Sequence, residues 1–190
     1  MCFKWIIKTS LSLITAQHFF GLVALFCALI LLGSFFIENI FMIEPCILCT
    51  LQRIMFLSIL IICTGGFATN IYIKKLRPRL NLSIVNAMNC FFLSTANVFA
   101  TIGALVAARQ SWLQIVSRFN IPSCSGGLQE LLKQYSFINI ISMAIEGKLE
   151  CSAIGMNILG LSLANWGLIN FLIILLFGVL VIFKSVFRSC

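Results

Sequence analysis

Residues 19–53 read FFGLVALFCALILLGSFFIENIFMIEPCILCTLQR, and the fold turns on how this stretch is parsed. Phe19 to Ile37 is an uncharged apolar run of the length a membrane-spanning helix needs, about 20 residues. Glu38, Glu44 and Pro45 then interrupt it, and a second apolar run opens after Arg53. Proline cannot continue a helix but fits its first turn, so Pro45 ends one segment and starts the next. The chain therefore leaves one side of a membrane, turns within about a dozen residues, and goes back. At that turn it carries two cysteines in C-x-x-C spacing, Cys46 and Cys49, with Arg53 shortly after.

The rest of the chain repeats the parsing. Further apolar runs cover Ile54–Ile73, Val85–Ala108 and Trp166–Phe183. The chain of 190 residues is 61% hydrophobic and only 9% charged. A soluble domain would carry about 25% charge, so this reads as an integral membrane protein. The predicted class is an all-α bundle of four transmembrane helices in one domain, residues 1–190. Its spans lie near 19–37, 51–70, 85–108 and 166–183, with outer loops near 38–50 and 109–165. The first span is too long for a signal core, and no small-residue cleavage motif follows it.

The net charge of +8 comes from 13 Lys and Arg against five Glu. In a soluble protein it would point to nucleic acid. Here the basic residues lie beside apolar runs, where topology accounts for them, and no nucleic-acid partner is expected. Lys4 and Lys8 precede the first span, Lys74, Lys75, Arg77 and Arg79 fill the loop after the second, and Lys184 and Arg188 follow the fourth. The excess of Lys and Arg in short loops marks the cytoplasmic side. Both termini are thus expected inside, with residues 38–50 and 109–165 outside.

Orientation sorts the nine cysteines. Cys27, Cys63 and Cys90 fall inside spans and read as small apolar residues. Cys2 and Cys190 fall on the inner side as reduced thiols. Cys46, Cys49, Cys124 and Cys151 fall outside, in a compartment that favours disulfides. Four cysteines allow three connectivities. Neighbours in sequence give the simplest, Cys46–Cys49 and Cys124–Cys151, and the choice stays open at this point. Cys46 and Cys49 sit in a short loop at the bilayer surface. Cys124 and Cys151 sit in a long one with Pro122, Gly126 and Gly127. A pair held beside lipid and a pair able to meet a soluble thiol protein together suit an electron relay.

The second helix is expected to begin between Cys46 and Thr50. The partial positive charge of a helix N-terminus favours a thiolate there. Arg53 follows Cys49 by four residues, so both project from one face. A guanidinium stays charged and donates several hydrogen bonds. It could serve a Cys49 thiolate or charge developing on a bound quinone; the competing reading is an interfacial arginine reaching for lipid phosphates. A zinc site needs four ligands. The four outer cysteines could form one, but there is no second C-x-x-C, and the single histidine, His18, lies on the other side. No metal is expected.

The combination resembles the disulfide bond formation protein B family, DsbB. Four spans, the box EPCILCTLQR after the first, and paired cysteines between the third and fourth carry the resemblance. So do AARQSWLQ at 107–114 and the run from Cys151 through Leu159-Gly160-Leu161 to Trp166. The resemblance implies an inner-membrane thiol:quinone oxidoreductase with ubiquinone or menaquinone as cofactor. Its partner is a soluble periplasmic thiol oxidase resembling DsbA, which attacks the Cys124–Cys151 disulfide at Cys124. Cys151 then exchanges with Cys46–Cys49, Cys49 faces the quinone beside Arg53, and Gln110 lies near the quinone ring. Met156 stands where the family often has Trp, and Leu149-Glu150 where it often has Gly-Asp. The stretch LQELLKQYSFINIISMAI is expected to form a helix on the membrane surface or free in the loop, with Leu128, Leu131, Leu132, Tyr135 and Ile138 on one face.

Two other classes fit parts of the pattern. Vitamin K epoxide reductases also pair a C-x-x-C with loop cysteines, but late in the chain rather than after the first span. A non-enzymatic membrane scaffold with structural disulfides or zinc leaves the placing of Arg53 unexplained.

Overall fold

The computed structural model describes residues 2–41, 47–76, 82–117, 157–158 and 161–189, together with Ser136, Asn139 and Ser142. Four long helices dominate: α1 (Cys2–Phe41), α2 (Ile47–Leu76), α3 (Leu82–Ser117) and α4 (Leu163–Ser189). Each contains a stretch long and apolar enough to cross a membrane: Gln17–Ile40, Leu48–Lys75, Ile84–Gln114 and Ala164–Phe183. The chain is all-α in class and multi-pass.

The helices overrun the apolar runs. Residues 38–41, expected in a loop, are the end of α1, and α2 starts at Ile47, inside the Cys46–Thr50 window where its start is expected. α3 continues through Arg109 and Gln110 to Ser117, so these two residues sit on a helix rather than at a loop edge. The continuation is physically reasonable. Ser111–Ser117 contains neither Gly nor Pro, and a helix already nucleated adds each further residue at little cost.

Two threonines inside the spans satisfy their hydroxyls locally, as a lipid setting favours. Thr69 Oγ1 donates to the Gly65 carbonyl at 2.7 Å, and Thr95 Oγ1 to the Phe91 carbonyl at 2.9 Å. Both bonds run back one helical turn within the same helix.

A short hairpin precedes α4. Strand β1 (Asn157–Ile158) pairs antiparallel with β2 (Leu161–Ser162), Asn157 opposite Ser162 and Ile158 opposite Leu161. Ser162 is also the N-cap of α4, and its Oγ accepts a hydrogen bond from the Asn165 backbone N–H at 3.4 Å. Such a cap typically stabilises a helix by about 1 kcal/mol.

The chain divides into two compact units. The first comprises Met1–Leu31, Phe56–Ala100 and Ile173–Cys190. Its core is apolar and includes Phe20, Cys27, Ile59, Cys63 and Ala100, all fully buried or nearly so. A polar contact lies within it: Asn70 Nδ2 donates to Asn89 Oδ1 at 2.9 Å and also to the Gly66 carbonyl. The second unit comprises Leu32–Met55 and Thr101–Leu172. Its buried residues include Leu48, Ala104, Ala107, Ala164 and Phe171, and two glutamines, Gln52 and Gln110.

Candidate functional site

Three of the six candidate residues fall within the described structure and three do not. Cys46, Cys124 and Cys151 lie outside the described residues. So does the expected surface helix, apart from Ser136, Asn139 and Ser142, which are exposed, the last two helical. Cys49, Arg53 and Gln110 are described, and all three fall in the second unit.

Cys49 sits in the first turn of α2, partly exposed. α2 begins at Ile47, two residues after Pro45 in the sequence. Gln52 and Arg53 follow Cys49 by three and four residues, so the helical repeat places both beside it. Leu48, four residues before Gln52, is almost fully buried and anchors this turn.

Gln110 reaches this turn from α3. Its Nε2 donates to Cys49 Sγ at 3.1 Å, and its Oε1 accepts from Gln52 Nε2 at 2.7 Å. One amide thus bridges two residues of a single α2 turn. Gln110 is only 2% exposed and Gln52 7%. Buried amides must be hydrogen-bonded, and stripping one of its partner costs about 1–3 kcal/mol. The chain of donors runs in one sense: Gln52 gives to Gln110, and Gln110 gives to the sulfur.

α4 makes room for Gln52. A methyl group at Gly167 would land on Gln52 Oε1. The absence of a side chain at 167 lets the α4 backbone approach the buried amide. Gly103 does the same on α3, where an added Cβ would meet the Phe171 ring 2.5 Å away.

Arg53 is engaged away from this amide chain. Its Nη1 donates to Glu38 Oε2 in a salt bridge, and its guanidinium lies 5.5 Å from the centroid of the Phe35 ring. Glu38 and Phe35 belong to the last turns of α1. The two side chains of the ion pair are 22% and 27% exposed, which leaves the guanidinium solvent-accessible in part. The expectation set Arg53 beside a Cys49 thiolate or a quinone; the structure gives it a carboxylate and a ring face, with Gln110 the donor on Cys49.

Two residues of the site escaped the sequence reading, Gln52 and Glu38. Gln52 stands inside the quoted box, next to the charged Arg53. Its position four residues after Leu48, on the buried face of α2, was the available signal. Glu38 was read as the end of an apolar run, and nothing local marks it as a partner for Arg53.

The arrangement can hold a sulfur anion. An amide N–H points at Cys49, and a helix start lies beneath it. The donor set also suits a ligand with carbonyl oxygens. Ser111, beside Gln110 on α3, has a buried Oγ that finds no hydrogen-bond partner among the described residues. Arg53, Gln110 and Ser111 all carry hydrogen-bond donors.

Comparison with known proteins gives this site its context. Residues 16–181 match the model of the family described as disulfide bond formation protein DsbB. The disulfide bond formation protein B of Marinobacter nauticus is 29% identical over 177 residues, covering 90% of this chain and 94% of that one. Disulfide bond formation protein B 1 of Pseudomonas aeruginosa is 29% identical over 89% of this chain and 96% of its own. The disulfide bond formation protein B of an Azoarcus species is 32% identical over 77% of this chain and 80% of its own. No solved structure matches significantly. With a family match across most of its length and relatives of the same extent, this multi-pass membrane chain belongs to the disulfide bond formation protein DsbB family.

Proposed function

We propose that this protein is a thiol:quinone oxidoreductase of the bacterial inner membrane that reoxidises a soluble, DsbA-like dithiol oxidase in the periplasm. The observation that carries the reading is the setting of Cys49: a cysteine at a helix start, at the end of a membrane span, with a buried amide donating to its sulfur. Family membership supplies the reaction class.

The electron path uses four cysteines. A thiolate of the reduced partner attacks Cys124, the Cys124–Cys151 bond breaks, and a mixed disulfide forms on Cys124. The partner's second thiol resolves it and the partner leaves oxidised. The Cys124–Cys151 dithiol then reduces the Cys46–Cys49 bond by the same exchange, with Cys151 the attacking sulfur and Cys49 left as a thiolate. Finally Cys46 and Cys49 re-form their bond, giving up two electrons and two protons. A bound quinone, ubiquinone or menaquinone, supplies the acceptor of those electrons. Per turn, one dithiol and one quinone become one disulfide and one quinol.

The residues around Cys49 have separable tasks. Gln110 holds the sulfur and favours its ionised form. Arg53 binds an oxygen of the acceptor or offsets negative charge near it. The Glu38 carboxylate keeps the guanidinium neutralised and oriented when no other anion is present. The Lys and Arg distribution supports an outward-facing cysteine set.

The test is a coupled assay in detergent. Purified protein is mixed with a reduced DsbA-like oxidase and a short-chain quinone, and quinone absorbance is followed alongside partner thiol content. The expected result is one quinone reduced per disulfide formed, with no turnover when either substrate is left out. Partner oxidation that proceeds at full rate without quinone, under anaerobic conditions, would overturn the reading.

A further inference from the structure

We propose that Gln52 is a positioning residue: by donating its amide to Gln110 Oε1 it turns the Gln110 amide so that Nε2 faces the Cys49 sulfur. The inference deepens the proposed function and takes from it the premise that Cys49 works as a thiolate.

A primary amide is symmetric in shape and opposite in polarity at its two ends. A glutamine lying between two groups can present either its carbonyl or its NH₂ to each, and only its neighbours decide which. For Gln110 one neighbour is Cys49 Sγ at 3.1 Å and the other is Gln52 Nε2 at 2.7 Å. Gln52 offers an N–H, so the Gln110 carbonyl must face Gln52 and its NH₂ must face the sulfur. A flipped Gln110 would set two NH₂ groups against each other and its carbonyl oxygen against Cys49. At 2% exposure little water can take over the lost bonds.

Gln52 is itself held in place. It stands on the same α2 turn as Cys49, so the two ends of the amide chain share one rigid helical segment. The α4 backbone closes on its Oε1 side at Gly167. The second neutral donor in line also strengthens the first, since hydrogen bonds in series polarise one another. The outcome is a sulfur held by a neutral group that does not titrate, whose orientation is set one residue away from the chemistry.

The discriminating property is dependence through Gln110. If Gln52 acts by aiming that amide, its loss matters only while Gln110 is present. Glutamate at 52 is the sharper probe. A carboxylate only accepts, so it draws the Gln110 NH₂ to itself and turns the carbonyl oxygen toward Cys49.

The experiment uses the full-length protein, reduced and freed of quinone in detergent, with Cys49 alkylation rates read by mass spectrometry of the Cys49 peptide. Gln52→Leu is expected to slow alkylation at neutral pH by about fivefold, the scale of one ordinary hydrogen bond. The deficit should vanish at strongly alkaline pH, where the sulfur is ionised in every variant. Gln52→Glu should slow it more than Gln52→Leu. The double variant Gln52→Leu/Gln110→Leu should match Gln110→Leu alone. Circular dichroism of each variant identifies any that has lost its helices, and Gln52→Met serves in place of Gln52→Leu if that occurs. An unchanged neutral-pH rate in Gln52→Leu and Gln52→Met, or effects of the 52 and 110 substitutions that multiply, would overturn the proposal. Because no quinone or partner enters this measurement, failure of the thiol:quinone reading in the coupled assay is a separate result.

Discussion

Helix α2 carries two described cysteines that differ in almost everything but chemistry. Cys63, in the first unit, is 0% exposed and sits in an apolar core with Cys27, Ile59 and Phe20. Cys49, in the second unit, lies partly exposed in the first turn of the helix, and its sulfur accepts a hydrogen bond from a buried amide. The units differ in the same direction. The first buries an asparagine contact in a largely apolar interior, while the second buries two glutamines and supports an ion pair. The surroundings separate the two thiols: one lies among apolar side chains, and the other accepts a hydrogen bond from a buried amide.

The largest contrast should come from removing the sulfur at each of the two cysteines. Cys49→Ser should reduce quinone turnover by at least about 10³-fold, since a covalent participant is lost. Cys63→Ala should leave turnover near the parent rate and cost only about 1 kcal/mol of stability, the scale of a small core cavity. Equal losses from both, in the coupled assay, would erase the distinction between the units.

Gly167→Ala ranks next. Its methyl would collide with Gln52 Oε1, and overpacking of this kind costs about 1–3 kcal/mol. Thermal unfolding in detergent should fall, and turnover should fall with it because Gln52 must move. Gly33→Ala, where an added Cβ meets nothing within 4 Å, is the control and should change neither.

Arg53→Ala should raise the quinone KM about tenfold, the value of one charge-assisted contact of roughly 1.4 kcal/mol. Arg53→Lys should recover only part of it, because a lysine lacks the planar fork. Glu38→Gln should lower the quinone KM modestly, by releasing Arg53 from a competing carboxylate. An unchanged KM in Arg53→Ala would assign the residue to lipid phosphates instead.

The smallest effect belongs to the first unit. Asn89→Leu removes one partner of Asn70, and polar contacts between membrane helices average about 0.6 kcal/mol. A slight drop in thermal stability with intact turnover is expected. A large drop in turnover would mean that the two units do not divide their labour as described.

The helices were legible because each one advertises itself locally, through apolar runs long enough to cross a bilayer and a proline at the start of α2. Cys49 and Arg53 were legible as neighbours for the same reason, since helical spacing is a property of adjacent residues. The amide chain was not. Gln52 and Gln110 meet across fifty-eight residues of sequence, and Gln110 and Cys49 across sixty-one. No local pattern records such a meeting. Arg53 was legible as a charge near a bilayer edge, but its choice of Glu38 depends on where the end of α1 comes to lie. The Ser162 cap was readable in principle, from a serine three residues before Asn165 at the start of an apolar run.

The contact between Gly167 and Gln52 has an evolutionary reading. A backbone on one helix leaning against a long side chain on another ties the two positions together. Any relative that acquires a bulkier residue at the position of 167 must shorten, redirect or replace the one at 52. The two columns of an alignment should therefore drift as a pair, and a lineage that changes only one of them should bear the scar as a weaker grip on its reactive sulfur.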